Sequence, residues 1–187
     1  MRTIKLIQHN YKSHHAVYAF DNFLKEDYLK ILLEKTISLT QEDAMGNSTN
    51  VIGKMTTYRE LINHEEYREF FTNVIEHVNY CIKLRTPHPN EKMKYRVFNA
   101  WGMQHSLNNH TKTHTHEGIT FAASFCLRNT DESTHMYFEE FESSFPMQAN
   151  QLIFFPGAVK HSVNAHTDPK TSRVSIGLNI VAQYLED

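Results

Sequence analysis

Six short segments follow one another in the second half of this chain: YRVFNAWGMQ (95–104), ITFAASFCLR (119–128), THMYFEEF (134–141), ANQLIFFPG (149–157), HSVNAH (161–166) and RVSIGLNIVAQY (173–184). Most are rich in β-branched and aromatic residues, as strands are. Turn-like NNHTK, NTDES, ESSFPMQ and TDPKTS punctuate the series. No helical stretch intervenes, which argues against a parallel βαβ sheet and for a sandwich or barrel of short strands.

Upstream of residue 95 the apolar period lengthens. FLKEDYLKILLEKTI (23–37) places Leu24, Tyr28, Ile31, Leu32 and Ile37 near helical spacing, with Asp21 and Asn22 as the expected caps. Over residues 64–84 an apolar stripe runs from Tyr67 through Phe70, Val74 and Val78 to Ile82, and Asn63 with Glu66 resembles a capping box. That stripe reads as scaffold, a helix laid on a sheet. QEDAMGNSTNVIGKM (41–55) is polar and reads as a loop near a substrate mouth, and RTPHPNEK (85–92) is a second break. The expected architecture is α+β: one domain over 1–187, helical over about 1–94 and β-rich over about 95–187.

Composition sets further bounds. A chain of 187 residues buries roughly 70% of its unfolded surface, enough for a core without disulfide staples. Cys81 and Cys126 lie on separate apolar segments without CxxC spacing and read as buried thiols in a reducing compartment. The stretch MRTIKLIQHNYKSHH has no apolar signal region, and no run reaches the ~18 apolar residues of a membrane span, so a soluble, cytoplasmic protein is expected. The 19 basic and 21 acidic residues, net −2, are interspersed. Without a basic stripe, neither nucleic acid nor membrane is an expected partner.

Histidine is the outlier at 13 residues. His114-Thr115-His116 is an HxH element, and on extended backbone alternate side chains point to one face, so both imidazoles can meet one ion. A third ligand must come from elsewhere, and His161, just beyond the Pro156-Gly157 turn, supplies it. Arg173 and Ser175 share a face of the last strand. A guanidinium in so apolar a strand is costly unless a carboxylate pairs with it, which suits the far end of a bound dicarboxylic acid.

Together HTH (114–116), LIFFPGAVKHSV (152–163) and RVSIGLN (173–179) resemble the Fe(II)- and 2-oxoglutarate-dependent oxygenases, in particular small bacterial and phage proteins related to prolyl hydroxylases. The resemblance covers about residues 95–182 and implies a double-stranded β-helix, or jelly roll, with the N-terminal helices packed on one sheet. It implies that His114, His116 and His161 hold Fe(II), that Arg173 and Ser175 hold 2-oxoglutarate, and that Asn99 in FNAW (98–101) also touches the co-substrate, with Trp101 beside it. Dioxygen is the second co-substrate. The implied reaction is hydroxylation of a protein residue or a small molecule coupled to conversion of 2-oxoglutarate to succinate. One departure from the family pattern is plain: its usual second ligand is a carboxylate, whereas position 116 is histidine.

Two other readings stay open on sequence. A cupin-type dioxygenase or isomerase would use three histidines without 2-oxoglutarate, but the acidic ligand such proteins place beyond HxH would fall on Thr120 or Phe121. A non-catalytic jelly-roll module would carry a structural zinc with a fourth ligand, for which His105 and His110 are the candidates. Imidazole also suits zinc, copper and nickel, so the ligands alone do not name the metal. The prime substrate and the oligomeric state are not legible.

Overall fold

A computed structural model describes residues 4–9, 15–45, 49–86 and 92–184. Most of the N-terminal stretch, residues 46–48 of the polar loop, and both prolines of the 85–92 break lie outside the described residues.

Two antiparallel sheets and two helices make up the fold. In chain order the elements are β1 (Ile4–His9), β2 (Ala16–Phe20), α1 (Glu26–Thr40), β3 (Val51–Ile52), β4 (Lys54–Met55), α2 (Arg68–Arg85), β5 (Met93–His105) and β6 (His110–His114). They continue with β7 (Phe121–Arg128), β8 (His135–Phe138), β9 (Ser143–Pro146), β10 (Gln151–Pro156), β11 (His161–Val163) and β12 (Arg173–Tyr184). The larger sheet runs β1-β2-β10-β7-β12-β5-β4 and the smaller β3-β6-β11-β8-β9.

Alternation along the strands divides the core in two. On one face of the larger sheet Phe20, Ala100, Phe125, Leu152, Phe154, Ile176 and Leu178 meet Leu32, Phe70, Val74 and Val78 of the helices. On its other face Val17, Ala122, Cys126, Ile153 and Phe155 meet Met136, Phe138 and Val163 of the smaller sheet. Side chains of period 2 thus serve two layers, and both helices pack on one sheet as expected. The two cysteines are buried and free, Cys81 in α2 and Cys126 in β7. Among the described residues no helix is long and apolar enough to cross a membrane.

Several expectations are corrected. The first half is not simply helical: AVYAF is buried at every position and pairs with both β1 and β10, because its apolar run suits a strand flanked on two edges. Neither helix takes the expected cap. α1 begins three residues later than read, behind Lys25, while two 3₁₀ turns (61–63 and 65–67) occupy the expected capping box and α2 starts at Arg68. NNHTK is partly strand, since β6 opens at His110. THMYFEEF stops pairing at Phe138, where a 3₁₀ turn ends in Glu142 at φ 48°, and ESSFPMQ then supplies β9.

Candidate metal centre

His114 closes β6 and His161 opens β11, and the two are direct antiparallel partners, so their side chains leave adjacent strands on the same face. His116 lies two residues past the end of β6 rather than on an extended strand. Its amide donates to the Gly157 carbonyl at 2.8 Å, which fastens it to the turn ahead of His161. That turn demands glycine: a Cβ at position 157 would lie 2.3 Å from the Ile119 carbonyl oxygen.

The three rings bring ligand nitrogens within 4.8 Å of one another. Right-angle metal bonds of ~2.1 Å need nitrogens about 3 Å apart, so small rotations close the site. Two ring orientations are set by backbone. His114 Nδ1 lies 2.9 Å from the Lys112 carbonyl and His161 Nδ1 lies 3.0 Å from the Val159 carbonyl. A carbonyl can only accept, so in both rings Nδ1 carries the proton and Nε2 keeps its lone pair. Burial holds the His161 ring near a pKa of about 3 and, with the His114 charge, His116 near about 4. His114 is also depressed by burial, partly offset by the Lys112 carbonyl. At neutral pH the cluster therefore offers three uncharged donors. Among the described residues no fourth histidine, cysteine or carboxylate joins them, and neither His105 nor His110 serves as the fourth ligand of a closed structural site.

Behind the cluster lies a small inner cavity, partly open to solvent, which the three histidines share with Trp101, His105, Arg173 and Ser175. Arg173 is 1% exposed, and its Nε and Nη1 have no hydrogen-bond partner. Burial lowers its pKa to about 10, with Cys126 and Asp131 acting the other way, so it stays charged at neutral pH. Across the ladder from Arg173 stands His105, fully buried. Burial, then the neighbouring guanidinium, holds His105 well below its ordinary pKa. A neutral imidazole there adds no second positive charge. Ser124, from β7, also lines this space.

A more open outer cavity also borders His114 and His116 and is lined by Asn99, Asn179, Trp101, Tyr58 and Glu117, among others. Asn99 therefore lies in the outer space with His116, and not in the inner one with Arg173. It pairs directly with Asn179; the Asn99 amide oxygen is buried without a partner, while the Asn179 side chain is a hydrogen-bonding neighbour of His116. Trp101 borders both cavities. Its indole lies flat over Gly177, where a Cβ would come within 2.5 Å of Cε2, and stacks on His116 at 6.1 Å. Sequence reasoning missed Asn179, Ser124 and His105 as lining residues. The strand alternation that selected Ser175 also selects Gly177 and Asn179.

No family model and no curated protein matches the sequence. Similarity appears at the level of solved structures. A prolyl-4-hydroxylase from Pseudomonas putida superposes with a TM-score of 0.66 at 12% identity, covering 90% of this chain and 94% of that one. A prolyl hydroxylase from Trichoplax adhaerens, in complex with a hypoxia-inducible-factor peptide fragment, gives 0.66 at 13% identity over 88% and 83%. The epimerase SnoN of nogalamycin biosynthesis, in complex with Fe³⁺, α-ketoglutarate and nogalamycin RO, gives 0.66 at 14% over 91% and 81%. These neighbours are 2-oxoglutarate- and iron-dependent oxygenases and their relatives, and the fold of this chain is the fold they share.

Proposed function

We propose that this chain is an Fe(II)- and 2-oxoglutarate-dependent oxygenase whose two sheets form a double-stranded β-helix. In this reading His114, His116 and His161 hold the iron, Arg173 and Ser175 hold the distal carboxylate of 2-oxoglutarate, and Asn99 meets the co-substrate at its metal-proximal end. The observation that carries it is Arg173: a buried cation without a hydrogen-bond partner, in the same cavity as three converging imidazoles. Such a charge is costly unless a carboxylate arrives to pair with it. The neighbours add support through what they bind, iron with α-ketoglutarate in one case and a peptide in another.

When bound, the iron and co-substrate supply the oxidation, activating dioxygen as 2-oxoglutarate becomes succinate and a substrate C–H bond is hydroxylated. The protein's contribution is placement. Three neutral ligands would leave the +2 charge of the metal uncompensated, and the proximal carboxylate of a dianionic co-substrate would offset one unit of it. Arg173 then balances the far carboxylate in its fork of donors. Trp101, Met103 and Phe155 give the inner cavity an apolar wall.

Purified protein with Fe(II), ascorbate and 2-oxoglutarate should form succinate slowly even without a prime substrate. Binding of metal with indifference to 2-oxoglutarate would point to a cupin-type enzyme instead. A protein that binds neither iron nor 2-oxoglutarate would be a non-catalytic module.

A further inference from the structure

Beyond the outer cavity, β5 leaves regular pairing. Asn99 pairs with Asn179, but the next pair is Val97 with Ile180, so Phe98 is an extra residue, a β-bulge. Bulges reset alternation and re-aim side chains, often beside active sites. Here Tyr95 and Val97 fall on the helix-covered face with Ala100, whereas Arg96 and Phe98 are exposed on the side that continues from Asn99 and Trp101. Phe98 is 38% exposed. Two guanidiniums bracket its ring, Arg96 at 5.6 Å and Arg59 at 6.0 Å from the centroid.

Cation–π attraction at an exposed site is weak, and here it leaves two guanidiniums close together. Two like charges share one ring, and among the described residues neither forms an ion pair. The carboxylate next to Arg59, on Glu60, is engaged by Thr57 and His64. Arg59, Arg96 and Phe98 do not line the outer cavity themselves, but their chain neighbours Tyr58 and Asn99 do. Tyr58, beside Arg59, lines the outer cavity and meets Trp101 edge-on at 5.2 Å. Trp101 is 6% exposed, and its indole Nε1 is buried without an acceptor, on the ring edge that lies over Gly177. On a chain of net charge −2, an unpaired cationic pair next to the outer cavity attracts anions to this shelf, while Glu117 in the cavity lining opposes their passage further in.

We propose that the Arg59–Phe98–Arg96 shelf binds an anionic group of the prime substrate, a carboxylate or phosphate carried on a flat or apolar frame, while the reacting end enters the outer cavity beside His116. Resting on the oxygenase reading, the proposal adds a substrate class to it. Flat apolar atoms stack on Phe98, and the guanidiniums donate to the oxyanion.

The test uses the full chain loaded with Mn(II) and 2-oxoglutarate, with three probes: phenylacetate, phenyl phosphate and neutral phenylacetamide. Binding is followed by ligand-observed NMR, in which Mn(II) broadens resonances of a probe seated near the metal. At least one anion should bind about tenfold tighter than the amide and be broadened; the stronger anion identifies the group. R59Q/R96Q should erase that preference while 2-oxoglutarate affinity is retained, and Phe98→Leu should weaken anion and amide alike. The proposal is overturned if the amide equals the better anion, if R59Q/R96Q keeps the preference, or if no probe binds. Should the wild type fail to bind 2-oxoglutarate, the oxygenase reading falls, and the same titrations with Mn(II) alone still decide the shelf.

Discussion

A guanidinium shut away from water at 1% exposure and without a hydrogen-bond partner works against the ligand-free fold. Opposite effects on stability and binding should follow from its replacement. Arg173→Met should leave the ligand-free protein as stable as wild type or more so, read by thermal denaturation, since an apolar side chain of similar volume removes an unpaired charge. Arg173→Ala should weaken 2-oxoglutarate binding by about 3–5 kcal/mol, read by calorimetry with Mn(II). Unchanged affinity would place the co-substrate anchor elsewhere. Gly177 invites a second test. A Cβ there meets the Trp101 indole at 2.5 Å, so Gly177→Ala should cost about 1–3 kcal/mol of stability by overpacking, measured by denaturant titration.

At the scale of elements, the strands of the second half were legible because apolar runs between turn residues are a local signal. The clustering of the three histidines was legible for a related reason: HxH and a histidine behind Pro-Gly are local patterns, and antiparallel pairing of His114 with His161 joins them. Less visible was whatever depends on pairing at a distance. AVYAF is too short to announce a strand, and it becomes one because β10 offers an edge. The bulge at Phe98 follows from registry with β12, which no single segment contains. The cap expected for α2 failed because the 61–63 turn, packed on β5, and the 65–67 turn after it set the entry to that helix. Asn150 shows how such distant ties hold. At φ 58° it accepts from the Leu24 amide and donates to the Leu24 carbonyl, both at 2.8 Å, pinning the approach to α1 against the turn before β10. Loss of both hydrogen bonds and a backbone conformation that favours asparagine should cost Asn150→Ala about 2–3 kcal/mol, read from the shift in denaturant midpoint.

Across the whole molecule, the buried histidines tie stability to pH. His105, His116 and His161 all have pKa values below the ordinary 6.5. In the unfolded chain each gains a proton as pH falls through about 6.5, whereas the folded chain resists until much lower pH. Their contribution is complete above that value and is lost on acidification, at about 1.4 kcal/mol per pH unit for each titrating ring. Metal-free protein should therefore lose unfolding free energy steadily from pH 7 toward pH 4, and a flat profile would show these rings to be solvated.

The triad and Arg173 stand on different sheets. His114 and His161 belong to the smaller sheet, with His116 just past its strand β6, and Arg173 belongs to the larger. An ion can thus load onto one half of the sandwich without engaging the other, but a molecule reaching from that ion to Arg173 must span both. Such a molecule acts as a rivet through two plates, so its arrival should slow amide hydrogen exchange in β7 and β12 as well as in β6 and β11, where the ion by itself protects the second pair alone.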